Sequence, residues 1–536
     1  MITDLLTDAL RDALVALAVD PLPDTIGLER PANREHGDWS SNVALATAKK
    51  AGRNPRELGQ QLADHLNENL PAHVDKVEIA GPGFVNFHLA GTWLYDVLRD
   101  VVAAGDAYGR STTGVGTKVN VEFVSANPTG PLHAGHARGA CYGDAIASLL
   151  EAVGHEVERE FYINDRGVQM QTYAASLLAR KAGEEPPDDG YVGEYIIDWS
   201  KDMPEGLSLD DALEWGYAHA KADQTEVLGS LGVVFDTWYS ERSMVGNGMI
   251  DAALDDLREH GVVYENDGAT WLRSTDYGDD KDRVLIRSDG DYTYITPDIA
   301  YHRDKFERAD ELIDVWGADH HGYVSRMKAA MQSLGKDPDK LTIPITQMVR
   351  LMRGDDEVKL SKRTGEIIEL REIVDEIGAD AARFTYLLQS VDSPQTFDLE
   401  LAASKAMDNP VFYVQMAHAR LRSIQTKVAE AGIERAALDD VDLGQLTHER
   451  ELEVLRQLHE YPDIVAIAAR ELAPHKIANW LREFAAAVHG FYHDCYVMGD
   501  DIAPELTQAR LWLVEAARVG LVNGLTLMGV SAPDSM

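Results

Sequence analysis

The sequence predicts an α/β protein built on a parallel, doubly wound sheet, with a small α+β unit before the sheet and an all-α bundle after it. Three observations lead there. Strand-like and helix-like stretches alternate from about residue 118 to about residue 390, and such alternation favours parallel strands joined by crossover helices. From about residue 401 onward strand signals vanish and helical periodicity takes over. The chain has 536 residues, 45% of them hydrophobic and 26% charged, an ordinary globular balance over more than one core, since domains run to about 100–200 residues.

Taken in order, residues 1–108 open on an amphipathic helix, MITDLLTDALRDALVALAVD. It has acids at helical spacing but no basic flank or small-residue cleavage site, so neither a signal peptide nor a membrane span is expected. Glu35–Gly52 reads as a turn feeding a second helix, and Val74–Leu89 as two short strands around Gly81-Pro82-Gly83. Trp39 and Phe84 are candidate core residues of this unit. Gly109–Thr117 is polar and Gly/Thr-rich, a linker.

Residues 109–400 carry the sheet. A strand at Lys118–Ser125 leads through a Pro/Gly loop into a helix from about Gly135 to Ala152, and further strands follow at His155–Ile163 and Glu311–Ala318, with an apolar stretch at Leu341–Val349. Residues of about 165–285 read as a long, largely helical insertion between the two halves of the sheet. Residues 401–536 form the bundle, with helical patterns at Asn409–Gly432, Ile464–Val497 and Thr507–Val530.

The formal net charge is −40, with Asp and Glu spread through every region. A chain so charged repels itself in dilute buffer, whereas the screening length falls to about 3 Å in 1 M salt. Adaptation to a salt-rich cytoplasm is the expectation, and in that solvent the acidity does not exclude a nucleic-acid partner. The two cysteines, Cys141 and Cys495, are far apart in sequence. They suit small buried hydrophobes in a reducing compartment better than a disulfide or a zinc site.

Two segments carry chemistry. The loop after the first sheet strand reads SANPTGPLHAGHARG (Ser125–Gly139), with His133 and His136 three apart at a helix start. Helix N-termini at the carboxyl ends of parallel strands present N–H groups to phosphate, and Gly135 lets a ligand approach closely. A metal pair or incidental surface histidines are the plain alternatives, but no third and fourth metal ligand stands nearby. The second segment, KLSKR, places Lys359, Ser361, Lys362 and Arg363 in a basic cluster within a very acidic chain. Two ammonium groups on a loop suit the β- and γ-phosphates of ATP as pyrophosphate leaves; an exposed charged turn is the plain alternative.

Together PLHAGH and KLSKR resemble the HIGH and KMSKS signatures of class I aminoacyl-tRNA synthetases. The surrounding stretches narrow the resemblance to the arginyl-tRNA synthetases: VEFVSANPTGPLHAGHARG, FYINDRGVQ, YVGEY, FDTWYSE, TYITPDIAYHRDKFER, VWGADHHGYVSRM, QMVRL, DNPVFYVQMAHARLRSI and GLTLMGVSAPDSM. The resemblance spans essentially the whole chain. It departs at Ala134, where the class name has Ile, at Leu360, in place of Met, and at Arg363, in place of the final Ser; both ammonium groups survive.

The resemblance implies a Rossmann-like catalytic domain flanked by an additional tRNA-contacting domain (1–108) and an anticodon-binding domain (401–536). It implies that L-arginine is activated with ATP, presented as its Mg2+ complex, to arginyl-adenylate and then passed to the 3′ end of tRNA(Arg). The catalytic residues would be His133, His136, Lys359 and Lys362. Pro131, Gly135, Asp319, His320, Ser361 and Arg363 join the histidines in holding ATP. Glu122, Ser125, Asn127, Tyr294 and Asp298 would hold arginine, a guanidinium favouring carboxylate partners. Tyr413, Gln415, His418 and Arg420 would meet the anticodon. No resident metal, tightly bound cofactor or membrane contact is expected, and a cytoplasmic monomer is. The rivals are a class I synthetase for another amino acid, a nucleotidyltransferase of the same fold, which needs no helical bundle, and a binding module that has lost catalysis, against which the intact histidines and lysines argue.

Overall fold

The computed structural model describes residues 2–31, 33–358 and 368–536. Their contacts divide into two compact units: residues 1–105 with 424–459 and 487–517, and residues 106–423 with 460–486 and 518–536. This division by compactness assigns the C-terminal helices partly to each unit, whereas the sequence reading set them apart as one bundle.

In the first unit, helix α1 (Ile2–Ala16) precedes a three-stranded antiparallel sheet of β1 (Trp39–Ser41), β2 (Val74–Ala80) and β3 (Phe84–Leu89), with β3 in the middle. Helices α2 (Val43–Ala48), α3 (Pro55–Glu68) and α4 (Trp93–Ala104) complete it. Asn54 caps α3, its side chain accepting from the amides of Arg56 and Glu57, and Pro55 occupies the first helical position, where no amide donor is needed. Trp39 is buried, as expected of core; Phe84 is half-buried. The helical residues of this unit join the same core: His459 meets the Trp93 ring at 4.7 Å, and Tyr95 Oη donates to the Leu446 carbonyl at 3.0 Å.

The second unit holds a five-stranded, all-parallel sheet. Its strands are β4 (Lys118–Glu122), β5 (Glu156–Ile163), β6 (Thr237–Ser240), β10 (Glu311–Asp314) and β12 (Leu341–Thr342), in the spatial order β12-β10-β4-β5-β6. The chain leaves β4 in one direction to build β5 and β6 and returns on its other side to build β10. The crevice outside the carboxyl ends of β4 and β10 is therefore the switch point, where ligands bind in such sheets. Helix α5 (Ala134–Ala152) is buried around most of its circumference, so it is a core helix rather than an amphipathic one.

The insertion is helical in its first half and mixed in its second. Helices α6 (Val168–Lys181), α7 (Glu194–Asp202) and α8 (Leu209–Ser230) pack around Met170, Tyr173, Leu177, Ile196 and Trp199. Thereafter the chain re-enters the main sheet as β6, forms α9 (Met249–Glu259), and then a three-stranded antiparallel sheet of β7 (Val263–Asn266), β8 (Ala269–Leu272) and β9 (Arg283–Ile286). The stretch expected to be largely helical thus also carries one strand of the main sheet and a small antiparallel sheet. Asp267 and Gly268 join β7 to β8 with φ of 52° and 76°, a two-residue turn whose left-handed backbone favours this residue pair.

Helices α10 (Ile295–Arg308) and α11 (Val324–Ser333) cover one sheet face, burying Ile299, Leu312, Met327 and Met331 with Leu254 and Leu257 of α9. Two-residue strands β11 (Trp316–Gly317) and β13 (Ile345–Thr346) pair in parallel. Strand β14 (Val349–Arg353) pairs with β15 (Asp356–Glu357) and with β16 (Gln395–Asp398). After α12 (Leu370–Ile377), α13 (Ala379–Tyr386) and α14 (Leu399–Ala403), the described chain is helical: α15 (Pro410–Glu430), α16 (Glu449–Arg470), α17 (His475–Asp494) and α18 (Pro504–Leu527). The buried Arg383 ties α13 to this end of the chain, donating to the Met528 and Leu231 carbonyls at 2.9 and 3.1 Å and pairing with Asp144. Gly529 lies against that guanidinium, leaving no room for a Cβ.

Candidate active site

The chain leaves β4 at Glu122 and turns sharply, with Val124 and Ser125 both at positive φ (68° and 42°). A β-branched residue in that region costs roughly 1–3 kcal/mol, which the surrounding bonds must over-determine. Ser125 supplies them: its Oγ donates to Glu122 Oε1 at 2.8 Å and accepts from the Tyr162 amide at 3.2 Å. Asn127 then reaches Gln169 Oε1 at 3.1 Å.

At the start of α5 the two histidines organise each other. His133 is the N-cap, and its Nδ1 accepts from the Gly135 amide at 3.1 Å; His136 Nδ1 accepts from the His133 amide at 3.2 Å. The ring centroids are 3.9 Å apart. An imidazole accepting at Nδ1 holds its proton on Nε2, so both rings are set as Nε2–H donors. Gly135 is required by this arrangement, since a Cβ there would stand 2.8 Å from the His133 ring. Pro131 is half-buried beside it.

The residues after KLSKR pair with this loop. Ala134 donates to Ile368 O at 3.0 Å, Leu370 donates to Leu132 O at 2.8 Å, and His133 bridges Glu369. On the other side of the basic segment, Val358 donates to Leu351 O at 2.9 Å. Lys359, Ser361, Lys362 and Arg363 themselves lie outside the described residues. Arg138, one turn into α5, donates to the carbonyls of Gln347, Ser390 and Ser393 and so ties the helix to the segment that leads into β14.

On the far side of the crevice, Asp319 and His320 occupy an exposed single turn after β11, with His320 Nε2 3.4 Å from Asp319 Oδ2. Asp298 lies in the first turn of α10 and accepts from Tyr323 Oη at 2.7 Å. Burial raises its carboxyl above the ordinary range. Tyr294 precedes the helix and is 86% exposed, which rules out core packing for it.

Glu122 is buried and already ion-paired. Lys305 Nζ donates to its Oε2 at 2.7 Å and Tyr301 Oη at 2.9 Å. Lys305 also pairs with Asp314, which in turn meets His302 Nε2 at 2.8 Å. Burial would lower the His302 pKa, but the bond to Asp314 wins and raises it. A carboxylate so committed brings little net negative charge to a ligand.

Glu241, in FDTWYSE, was missed as a site residue. It hydrogen-bonds Tyr162, lies 3.9 Å from Arg166, and is raised in pKa by burial, with Asp298 among the charges acting on it. Burial and then the charges of Glu241, Asp298 and Glu122 all raise the Tyr162 phenol. Tyr162 thus bonds one carboxylate, Glu241, and lies in the field of two others. In a chain with 90 acids no single Glu stands out; the signal was its place in a motif beside a parallel strand end.

Two of the residues expected to meet RNA are spoken for. Gln415 is buried and its Nε2 donates to Asp380 Oδ2 at 2.8 Å and to Ser531 O at 3.0 Å; His418 is buried with Nδ1 2.9 Å from Pro533 O. The correction is angular. At about 100° per residue, positions 413 and 420 share one side of a helix, while 415 and 418 lie on the other. Tyr413 and Arg420 are half-buried, and Tyr413 lines a cleft of about 470 Å³ with Asn479 and Arg482. Both cysteines are buried, and burial pushes their thiols up to about 12 (Cys141) and about 11 (Cys495). Among the described residues no group of three His, Cys, Asp or Glu could hold a metal ion, and no helix is long and apolar enough to cross a membrane.

Comparison with known proteins agrees with this geometry. Three family models match in order: the arginyl tRNA synthetase N terminal domain over residues 2–89, the class I (R) tRNA synthetase catalytic domain over 98–188 and 223–421, and the DALR anticodon binding domain over 414–536. The chain is 47% identical over 528 residues to the arginine–tRNA ligase of Syntrophotalea carbinolica, covering 95% of each, and 46% identical to that of Bacillus cereus, covering 97% of this chain and 96% of the relative. In fold it is similar to the arginyl-tRNA synthetase of Thermus thermophilus, with a TM-score of 0.74 at 23% identity over all of both chains. With a parallel sheet, a class I catalytic-domain match and relatives matching nearly end to end, the chain belongs to the arginyl-tRNA synthetase family, class I ligases that use ATP to join arginine to tRNA(Arg).

Proposed function

We propose that the ligation of arginine to tRNA(Arg) proceeds here through one site, shared by the His133/His136 loop, the acidic pocket beside Tyr162, and the basic segment Lys359–Arg363. ATP enters as its Mg2+ complex. The Nε2–H groups of His133 and His136 and the α5 N-terminus stabilise charge on the phosphates, with Pro131 and Gly135 shaping the approach. Lys359 and Lys362 take the charge of departing pyrophosphate, assisted by Ser361 and Arg363. Asp319 and His320 line the nucleoside side. The arginine carboxylate attacks the α-phosphate, and positioning with charge stabilisation does the chemistry without a protein nucleophile.

Asp298, Glu241 and Tyr294 take the guanidinium, while Glu122, Ser125 and Asn127 form the wall on the amino-acid side. The arginyl group then passes to the terminal ribose of the tRNA. Residues 1–108 and 401–536 act as tRNA-contacting domains around the catalytic 109–400, with Tyr413 and Arg420 towards RNA. The enzyme works in a salt-rich, reducing cytoplasm, a reading supported by the charge of −40 and the two buried free cysteines, and it works as a monomer.

The observation that supports this reading is the pairing of Leu132–Ala134 with Ile368–Leu370, which ties the PLHAGH loop to the chain that continues from KLSKR. Lys362→Ala tests it. The rate of arginine-dependent ATP–pyrophosphate exchange with tRNA present should fall by about 10²–10³, the usual consequence of losing one such group. A rate within threefold of wild type would remove the basic segment from the site.

A further inference from the structure

One turn of the insertion grips both the loop that leads to His133 and the start of α12. Gln224 on α8 is 1% exposed, and its Nε2 donates to Asn127 O at 3.1 Å and to Gly130 O at 3.0 Å, two carbonyls in the middle of the loop that delivers His133. Both N–H donors of one amide are thereby spent on one loop. Tyr195 of α7 adds a bond from its hydroxyl to Thr129 O at 3.0 Å, and its ring lies where a Cβ on Gly130 would stand. One residue before Gln224, Asp223 accepts from Arg371 Nη2 at 3.0 Å; two residues after it, Glu226 accepts from Arg371 Nη1 at 3.0 Å. Arg371 follows Leu370, whose amide already bonds to Leu132. The same helical turn therefore holds the loop before PLHAGH from within and the start of α12 from its surface.

We infer that this turn of α8 aligns two paired segments for reaction, with Gln224 as a positioning residue for the His133 loop and the Asp223/Glu226–Arg371 fork as the corresponding hold on the start of α12, whose Leu370 bonds to that loop. The inference rests on the proposed roles of those segments. A glutamine making two bonds to a loop with no regular structure of its own fixes that loop along its length, where a single bond would let it pivot. A displacement of about 1 Å in reacting groups can cost about a hundredfold in rate. Neither Gln224 nor Arg371 touches the reacting atoms in this scheme, so the consequence falls on the rate of the bound complex.

The test uses the full-length enzyme with ATP, arginine and tRNA. Single-turnover transfer of arginine is compared for wild type, Gln224→Met, the double variant Asp223→Asn/Glu226→Gln, and His136→Ala. A single-turnover rate constant does not depend on the fraction of enzyme that is folded. Gln224→Met should lower it by about 10- to 100-fold at saturating substrates, with the KM for arginine changed less than about threefold. The double variant should lower it by about 3- to 10-fold while raising the KM for ATP. A Gln224→Met rate within twofold of wild type, or a loss confined to the arginine KM, would overturn the inference. Should Gln224→Met not fold, a double variant within twofold of wild type would overturn it instead. His136→Ala separates the two levels: if it loses rate while the α8 variants do not, only the alignment role falls, and if it keeps the wild-type rate, the site reading falls and takes the alignment role with it.

Discussion

The amide of Ala134 donates to the carbonyl oxygen of Ile368 at 3.0 Å, joining the first residue of α5 to the stretch that follows the basic segment. Its position allows an unusually clean test. Ala134 is the first helical residue, a place where proline costs a helix little because its amide is not part of the intrahelical ladder. Ala134→Pro should therefore keep α5 and lose this one bond. The expected result is a stability loss of about 1–3 kcal/mol in urea unfolding with a fall of at least about tenfold in ATP–pyrophosphate exchange. Unchanged exchange would detach the two segments functionally.

Asp298 sets stability against binding. Its raised pKa means that the folded chain disfavours the ionised form; the cost is absent below the carboxyl's unfolded pKa of about 4 and fully present once pH exceeds the folded value. Asp298→Asn, which can still accept from Tyr323, should raise the Tm of the ligand-free protein by a few degrees at pH 8 and leave it unchanged well below pH 4. The same variant should raise the arginine KM by at least about thirtyfold, since breaking a buried charge pair costs several kcal/mol. In the wild type the arginine KM should rise as pH falls through the raised pKa. A flat profile with normal arginine binding in Asp298→Asn would place the guanidinium elsewhere.

The salt reading makes a prediction of its own. With a net charge of −40, unfolding midpoints should climb from dilute buffer to molar KCl as self-repulsion is screened. Thermal melts across a KCl series check it, and a level or falling trend would return the chain to the ordinary acidic proteins.

Much of this architecture was legible because it rests on short-range rules. The strand at Lys118, the helix after His133 and the Gly81-Pro82-Gly83 turn each follow from local period and turn chemistry; the structure starts each within a residue of that expectation, although the strand ends at Glu122 rather than Ser125. The hairpin at Asp267-Gly268 follows from equally local turn chemistry, although the helices before it dominate the periodicity of the insertion. What local rules could not reach were partners distant in sequence. Nothing near Glu122 announces Lys305, nothing near Gln415 announces Ser531, and only the folded sheet brings Glu241 to Tyr162. Gln224 is the extreme case, an ordinary helix residue whose role lies entirely in which two carbonyls it meets.

The central claim is that the crevice activates arginine. ATP–pyrophosphate exchange, measured with tRNA present at high salt against each amino acid in turn, tests it most directly. The account predicts exchange with arginine and none above background with the others; exchange that ignores arginine, or that runs as well with another amino acid, would contradict it.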